Sequence, residues 1–159
     1  MSARSGGLFV DDLGAGSGAD VLREALELYP GTRIVHLLRR VSRSELRRCM
    51  QRAAYLVMPS LRHDAEPQPL VMAFAEGLPV IASRIPGIAE HVEPGRNGLL
   101  FEPGSPRELA RRLAWAEAFP EKMRQMGECA QADYHARFVS HWNWQRLYGE
   151  RRRQARLHP

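Results

Sequence analysis

Two short runs, "YLVM" at 55 to 58 and "PVIAS" at 79 to 83, carry no polar alternation and are closed off by proline or glycine. A strand with one face in water alternates apolar and polar side chains, so runs that are apolar throughout belong to strands covered on both faces. That places helices on either side of a parallel sheet and excludes an open antiparallel one. "GLFVD" at 7 to 11 and "RIVHLL" at 33 to 38 supply two more strands, and "GRNGLLFEPGS" supplies a turn, a small fifth strand and an exit loop.

Between the strands the period changes from two to 3.6. Leu22, Ala25, Leu26 and Tyr29 share one helical face, ended by Pro30 and Gly31. Ser42 and Glu45 form a capping box that opens a helix carrying Leu46, Cys49, Met50 and Ala53 inward. "PLVMAFAEG" reads as a buried helix. Ser105, Pro106 and Glu108 occupy the N-cap, N1 and N3 positions of the next, with Leu109, Leu113 and Ala116 inward. A helix from about Pro120 to Phe138 follows, and residues 139–159 form a terminal helix whose Trp142, Trp144, Leu147 and Tyr148 share a face. The expected fold is α/β, a Rossmann-like parallel sheet with helices on both faces, built as one domain over residues 1–159.

In such sheets ligands bind outside the carboxyl ends of the strands. The strand at 79 to 83 therefore delivers Ser83 to a ligand edge. Gly87 shapes a loop that a ligand can approach closely, and "GIAEHV" reads as a short helix whose amides suit an anion, with Glu90 on it. The loop "GAGSGAD", with Gly14, Gly16 and Gly18, is a second candidate cradle for phosphate. His63 beside Asp64 has the composition of a base with an orienting carboxylate, although neighbours on a loop commonly point apart.

Composition narrows the function. The chain of 159 residues has a net charge of +5, and all its basic residues except Lys122 are arginines scattered over several helix faces. A dispersed balance of this kind does not mark a nucleic-acid partner. Cys49 and Cys129 stand far apart with no metal-ligand spacing, so neither a disulfide framework nor a metal site is expected, and a reducing cytoplasm fits. No apolar stretch approaches a membrane span.

The order of the motifs resembles one family closely. "AAYLVMPSLRHD" followed by "AFAEGLPVIASRIPGIAEHVEPGRNGLLFEPGSPRELARRL" resembles the C-terminal, donor-binding half of a family 4 glycosyltransferase of the GT-B fold. Pro59-Ser60, Ala73, Ala75, Gly77, Pro79 to Ser83, Gly87, Glu90, Gly95, Gly98 and Leu100 match the family pattern in order and spacing. The resemblance implies a retaining transferase that takes a hexosyl group from a nucleotide-sugar donor, with no metal or other cofactor. By the same resemblance the acceptor site lies on a further domain or on a separate chain, and the last helix is a docking face for that chain or for a homo-oligomer.

Carried over residue by residue, the family's first carboxylate falls on Asp64, with Glu66 able to supply one from a shifted position. The ribose-binding second carboxylate falls on Met72, and the phosphate-binding arginine and lysine of the first loop fall on Asp12 and Ser17. Gly16, Gly18, Ser83, Gly87 and Glu90 are the implied donor-binding residues. The departures at Asp12, Ser17 and Met72 favour a second expectation, a homologue that keeps the fold, has lost the reaction and serves as a binding or partner subunit. The family usually has another strand, a glycine turn and a helix where this chain passes directly from Gly31 to Arg33.

Overall fold

The structure is a computed structural model and describes residues 4–11, 17–38, 41–62 and 68–139. Five parallel strands form one sheet: β1 (Gly7–Asp11), β2 (Ile34–Leu38), β3 (Tyr55–Met58), β4 (Val80–Ser83) and β5 (Gly98–Phe101), in the spatial order β2-β1-β3-β4-β5. The register is regular, with Leu8 opposite both Val35 and Leu56, and Val57 opposite Ile81. The strand order reverses direction between β1 and β3, because β2 lies on one side of β1 and the rest of the sheet on the other.

Five helices cover the sheet: α1 (Ala19–Leu28), α2 (Arg43–Arg52), α3 (Gln68–Ala75), α4 (Pro106–Ala118) and α5 (Pro120–Asp133). On one face Leu8, Leu56, Val80 and Ala82 meet Met50 of α2 and Leu70, Ala73 and Phe74 of α3. On the other, Phe9, Val57, Ile81 and Phe101 meet Val21, Leu22 and Ala25 of α1 and Leu109 and Leu113 of α4. Strand β4 is wholly buried on both sides, as the absence of polar alternation in its sequence requires.

Helix boundaries follow their local chemistry. At α2 the Glu45 amide donates to Ser42 Oγ at 3.2 Å and the Ser42 amide to Glu45 Oε2 at 3.3 Å, the reciprocal capping box. At α4 the Glu108 amide donates to Ser105 Oγ at 3.2 Å, with Pro106 in the first turn. Helix α3 stops where Gly77 takes φ 69°: the Leu78 amide then reaches Ala73 O at 2.8 Å and the Gly77 amide reaches Phe74 O at 3.1 Å, the paired bonds of a left-handed helix terminus. Tyr55, at the start of β3, donates its buried hydroxyl to Glu117 Oε1 at 2.9 Å, and burial together with this carboxylate holds its pKa far above the usual tyrosine value.

Two expectations need correction. Residues 86–91 form successive turns and not a helix. Gly87 has φ 89°, which no right-handed helix contains, and the bonds from the Ile88 amide to Ile85 O and from the His91 amide to Ile88 O close separate turns instead of one ladder. The helix expected from Pro120 to Phe138 is α-helical only to Asp133, after which Tyr134–Val139 widen into a π-helical turn. The terminal helix expected over residues 139–159, with its tryptophans, lies outside the described residues apart from Val139.

Helix α5 packs closely on the turn after α3. A Cβ added at Gly127 would stand 2.2 Å from Gly77 O. Alanine is favoured over glycine in a helix by about 1 kcal/mol, but an overpacked contact against backbone costs about 1 to 3 kcal/mol, so the clash dominates. Gly127→Ala should lower the melting temperature by several degrees, at roughly 2 to 4 °C per kcal/mol for a chain of this size. A melting temperature raised by the substitution would show that α5 does not seat on this turn.

Candidate functional site

The carboxyl ends of β1 and β3, where the strand order reverses, border a crevice lined by Phe9, Val10, Ser17, Met58, Pro59, Ser60, Pro69 and Ile88. A doubly wound sheet leaves its ligand crevice at this switch point, because the helices following the two strands diverge to opposite faces. Gly18 sets one wall. It has φ 83°, and a Cβ there would stand 1.8 Å from Pro59 O, so only glycine lets the start of α1 lie against the end of β3. The Ala19 amide donates to Ser17 Oγ at 3.3 Å, leaving the next amides of α1 directed out of the helix end. Among the described residues the lining carries no charged side chain.

The segment after β4 supplies the other wall. Its Ile88 side chain lines the crevice, and the Gly87 amide donates to Glu90 Oε1 at 3.3 Å. Glu90 is exposed and Gly87 half-buried, so the carboxylate at this stage organises its own turn. Burial pushes the His91 imidazole below its usual pKa, against the pull of Glu90 and with the help of Arg137. Ser83, at the end of β4, is fully buried and its hydroxyl has no hydrogen-bond partner.

The residues singled out from sequence thus divide into three groups. Gly18 and Ser17 sit at the crevice; Gly87 and Glu90 lie on the segment that also presents Ile88; Ser83 is beneath that segment in the core. Met72 is half-buried on α3 and packs against the cluster formed by Leu70, Ala73 and Phe74. Asp12, Gly14, Gly16, His63, Asp64 and Glu66 lie outside the described residues. Among the described residues no group of His, Cys, Asp and Glu is arranged to hold a metal ion, and no helix is long and apolar enough to cross a membrane.

Sequence reasoning passed over a polar cluster behind the 84–97 segment. Asp133, at the end of α5, is buried. It accepts from Arg96 Nη1 at 2.6 Å, Arg96 Nη2 at 2.9 Å and Asn97 Nδ2 at 2.8 Å. Asn97, fully buried, also donates to His91 O at 3.1 Å and accepts the Glu93 amide at 2.8 Å. The only trace in the sequence is the Asn-Gly pair at 97 to 98, which reads as an ordinary turn.

A doubly wound parallel α/β domain with a crevice at its switch point is an architecture that takes its ligands outside the carboxyl ends of the strands. Within that class the chain belongs to the glycosyl transferases group 1 family, whose pattern matches residues 12–133. It is 34% identical over 94 residues to an uncharacterized glycosyltransferase of Methanocaldococcus jannaschii, covering 59% of this chain and 26% of that protein. The crystal structure of Anabaena HepE in complex with UDP and glucose superposes with a TM-score of 0.77 at 21% identity, over 92% of this chain and 48% of that one. The C-terminal domain of a group 1 glycosyl transferase of Francisella tularensis, LpcC, gives a TM-score of 0.68 at 17% identity, over 86% of this chain and 88% of that one. The two structures establish the shared fold. The chain spans 26% of the curated relative and 48% of the HepE chain.

The Arg96 guanidinium holds the Asp133 carboxyl below the usual carboxylate range, with Asn97 adding to the effect and burial opposing it. A depressed folded-state pKa contributes stability that is present above the unfolded value near 3.9 and lost as pH falls through the folded value. The melting temperature of Asp133→Asn should therefore lie furthest below wild type above about pH 5, with the gap narrowing below about pH 4. A gap independent of pH would show that the charge on Asp133 contributes nothing.

Proposed function

We propose that this chain is the donor-binding half of a retaining, nucleotide-sugar-dependent glycosyltransferase, with the nucleoside diphosphate of the donor in the crevice between β1 and β3. The observation that carries the reading is the position of that crevice at the switch point, with the N-terminus of α1 opening onto it through Ser17 and Gly18. Unpaired amides at a helix start favour a phosphate. The HepE structure, which contains UDP and glucose, has the same fold over 92% of this chain. Gly16 and Gly18 form the phosphate side of the site, Gly87 and Glu90 the sugar side, and Asp64 and Glu66 are the carboxylates nearest the transferred hexosyl group. The acceptor is bound by another domain or chain, docked through residues 139–159. The reaction takes place in the cytoplasm, in keeping with Cys49 and Cys129 both being free thiols.

Met72 supports the alternative reading, a homologue that binds without transferring. It occupies the place where the resemblance puts a ribose-binding carboxylate, its thioether is a weak acceptor at best, and, half-buried, it packs against the core. Calorimetric titration with UDP-, GDP- and ADP-sugars separates the two: clear binding of any of them supports the donor reading, and binding of none favours the alternative.

Restoring charge gives a sharper comparison. A nucleoside diphosphate carries about two to three negative charges, which Asp12 repels and a lysine at 17 would attract. The triple variant Asp12→Arg, Ser17→Lys, Met72→Glu should raise affinity at least about tenfold, since each charged hydrogen bond contributes about 1.5 to 3 kcal/mol. Met72→Glu alone should gain less, because it adds a negative charge near the phosphates. No gain in a folded triple variant would sink the placement of the first loop.

The diphosphate is held by amides and side chains without a cation, so binding and any transfer should persist in EDTA. Loss on chelation with recovery on manganese addition would overturn that part of the reading.

A further inference from the structure

The donor pocket has a support that neither the motifs nor the family assignment points to. Helix α5 ends on a carboxylate that is only 6% exposed, and burying such a group is unfavourable unless it is fully hydrogen-bonded. Its three bonds all go to one short stretch, Arg96 and Asn97. Asn97 then closes the loop on itself, with one amide hydrogen on His91 O and its oxygen on the Glu93 amide. At its other end the segment is fixed to the sheet, where the Arg84 amide donates to Phe101 O at 2.9 Å and the Ile85 amide to Ser83 O at 2.8 Å.

Between these two anchors lie Gly87, Ile88 and Glu90. Ile88 forms part of the crevice wall, and the Glu90 carboxylate is bonded to the Gly87 amide, so a shift of His91 carries all three with it. The pair is buried only on the Asp133 side, Arg96 being exposed, and such an ion pair is weak evidence for stability in itself. What this one provides that an apolar contact would not is direction: the planar fork of Arg96 on two oxygens fixes the loop in both distance and angle.

We infer that Asp133 is a positioning residue of the donor pocket, acting through Arg96 and Asn97 to hold the 84–92 segment so that Ile88, Gly87 and Glu90 face a nucleoside diphosphate sugar. The inference rests on the donor-binding reading and deepens it. Asp133 itself touches no substrate.

The test uses the full chain, UDP as probe, calorimetry for affinity and tryptic cleavage after the exposed Arg84 as a ligand-free measure of how firmly the segment is held. Asp133→Ala should weaken UDP binding at least about tenfold, as loss of an outer support typically does, and should speed cleavage after Arg84. Asp133→Asn keeps one acceptor oxygen but sets an amide donor against Arg96 Nη2, so it breaks the fork and should recover only part of the affinity. Tyr55→Phe removes the Glu117 bond at the opposite end of the sheet, and should lower the melting temperature while leaving UDP affinity unchanged. If Asp133→Ala does not fold, Arg96→Lys retains the charge without the fork and should weaken UDP binding about threefold or more. A folded Asp133→Ala or Arg96→Lys protein with wild-type affinity overturns the inference, as does a loss in Tyr55→Phe of the same size. If wild type itself does not bind UDP, the donor reading fails, and cleavage after Arg84 then decides the latch alone: an unchanged rate in Asp133→Ala or Arg96→Lys overturns it too.

Discussion

Strand β4 has no side in contact with water, and the rest of the domain is arranged to achieve that. Val80 and Ala82 point into one cluster and Ile81 into the other. Each large side chain so buried contributes roughly 1.5 to 3 kcal/mol. The condition can be met only if helices cover both faces, and chain connectivity then requires each parallel strand to return through a crossover. The same requirement leaves the carboxyl ends of the strands as the place where backbone must turn sharply. There the domain has Gly18 and Gly87 at positive φ, its buried Ser83 and its crevice.

Helix α5 connects the two halves of that arrangement. Met123 and Met126 belong to the cluster under α1 and α4, whereas Ala130 belongs to the cluster under α2 and α3. Over fourteen residues the helix therefore passes from one side of the sheet to the other, along the β5 edge that would otherwise be open. It can do so closely because Gly127 has no side chain to hold it off Gly77. Gln131 then caps α3 through Ala75 O at 3.1 Å, and Asp133 reaches the loop beyond. One helix thereby relates the position of the 84–97 segment to the packing of the core.

Much of this was legible from residues alone, for identifiable reasons. The strands fell on short apolar runs, most of them closed by glycine or proline, and for β3 and β4 burial on both faces is the cause, whereas edge strand β2 exposes Val35. The caps at Ser42 and Ser105 were equally plain, since each is a local rule acting within four residues. The errors arose where non-local or backbone effects decide. "GIAEHV" has helical periodicity, but with Gly87 at positive φ the ladder is not continuous there, and bonds from Asn97 hold the turns instead. Asp133 reads as one more polar residue on a helix. Its burial depends on Arg96, which lies 37 positions away, and nothing in its neighbourhood announces that partner. Asp64, Glu66 and Gly16 fall outside the described residues, so their roles rest on the resemblance and the proposed function.

The crevice departs from a strongly anion-binding site in a consistent direction. Its described lining consists of apolar side chains and the serines at 17 and 60, and the half-buried Met72 packs against the core, where a carboxylate would be partly desolvated unless paired. A neutral hydrogen bond contributes about 0.5 to 1.5 kcal/mol net, and one to a charged group about 1.5 to 3. Exchanging cationic side chains for a hydroxyl and backbone amides therefore removes binding energy without removing the shape of the pocket. Gly18 against Pro59 and Asp133 against Arg96 both preserve that shape, and neither contact is accounted for by the packing of the apolar core. The geometry on both sides of the crevice is held by specific, directional contacts, which is why the proposed donor reading takes precedence over that of a mere structural remnant.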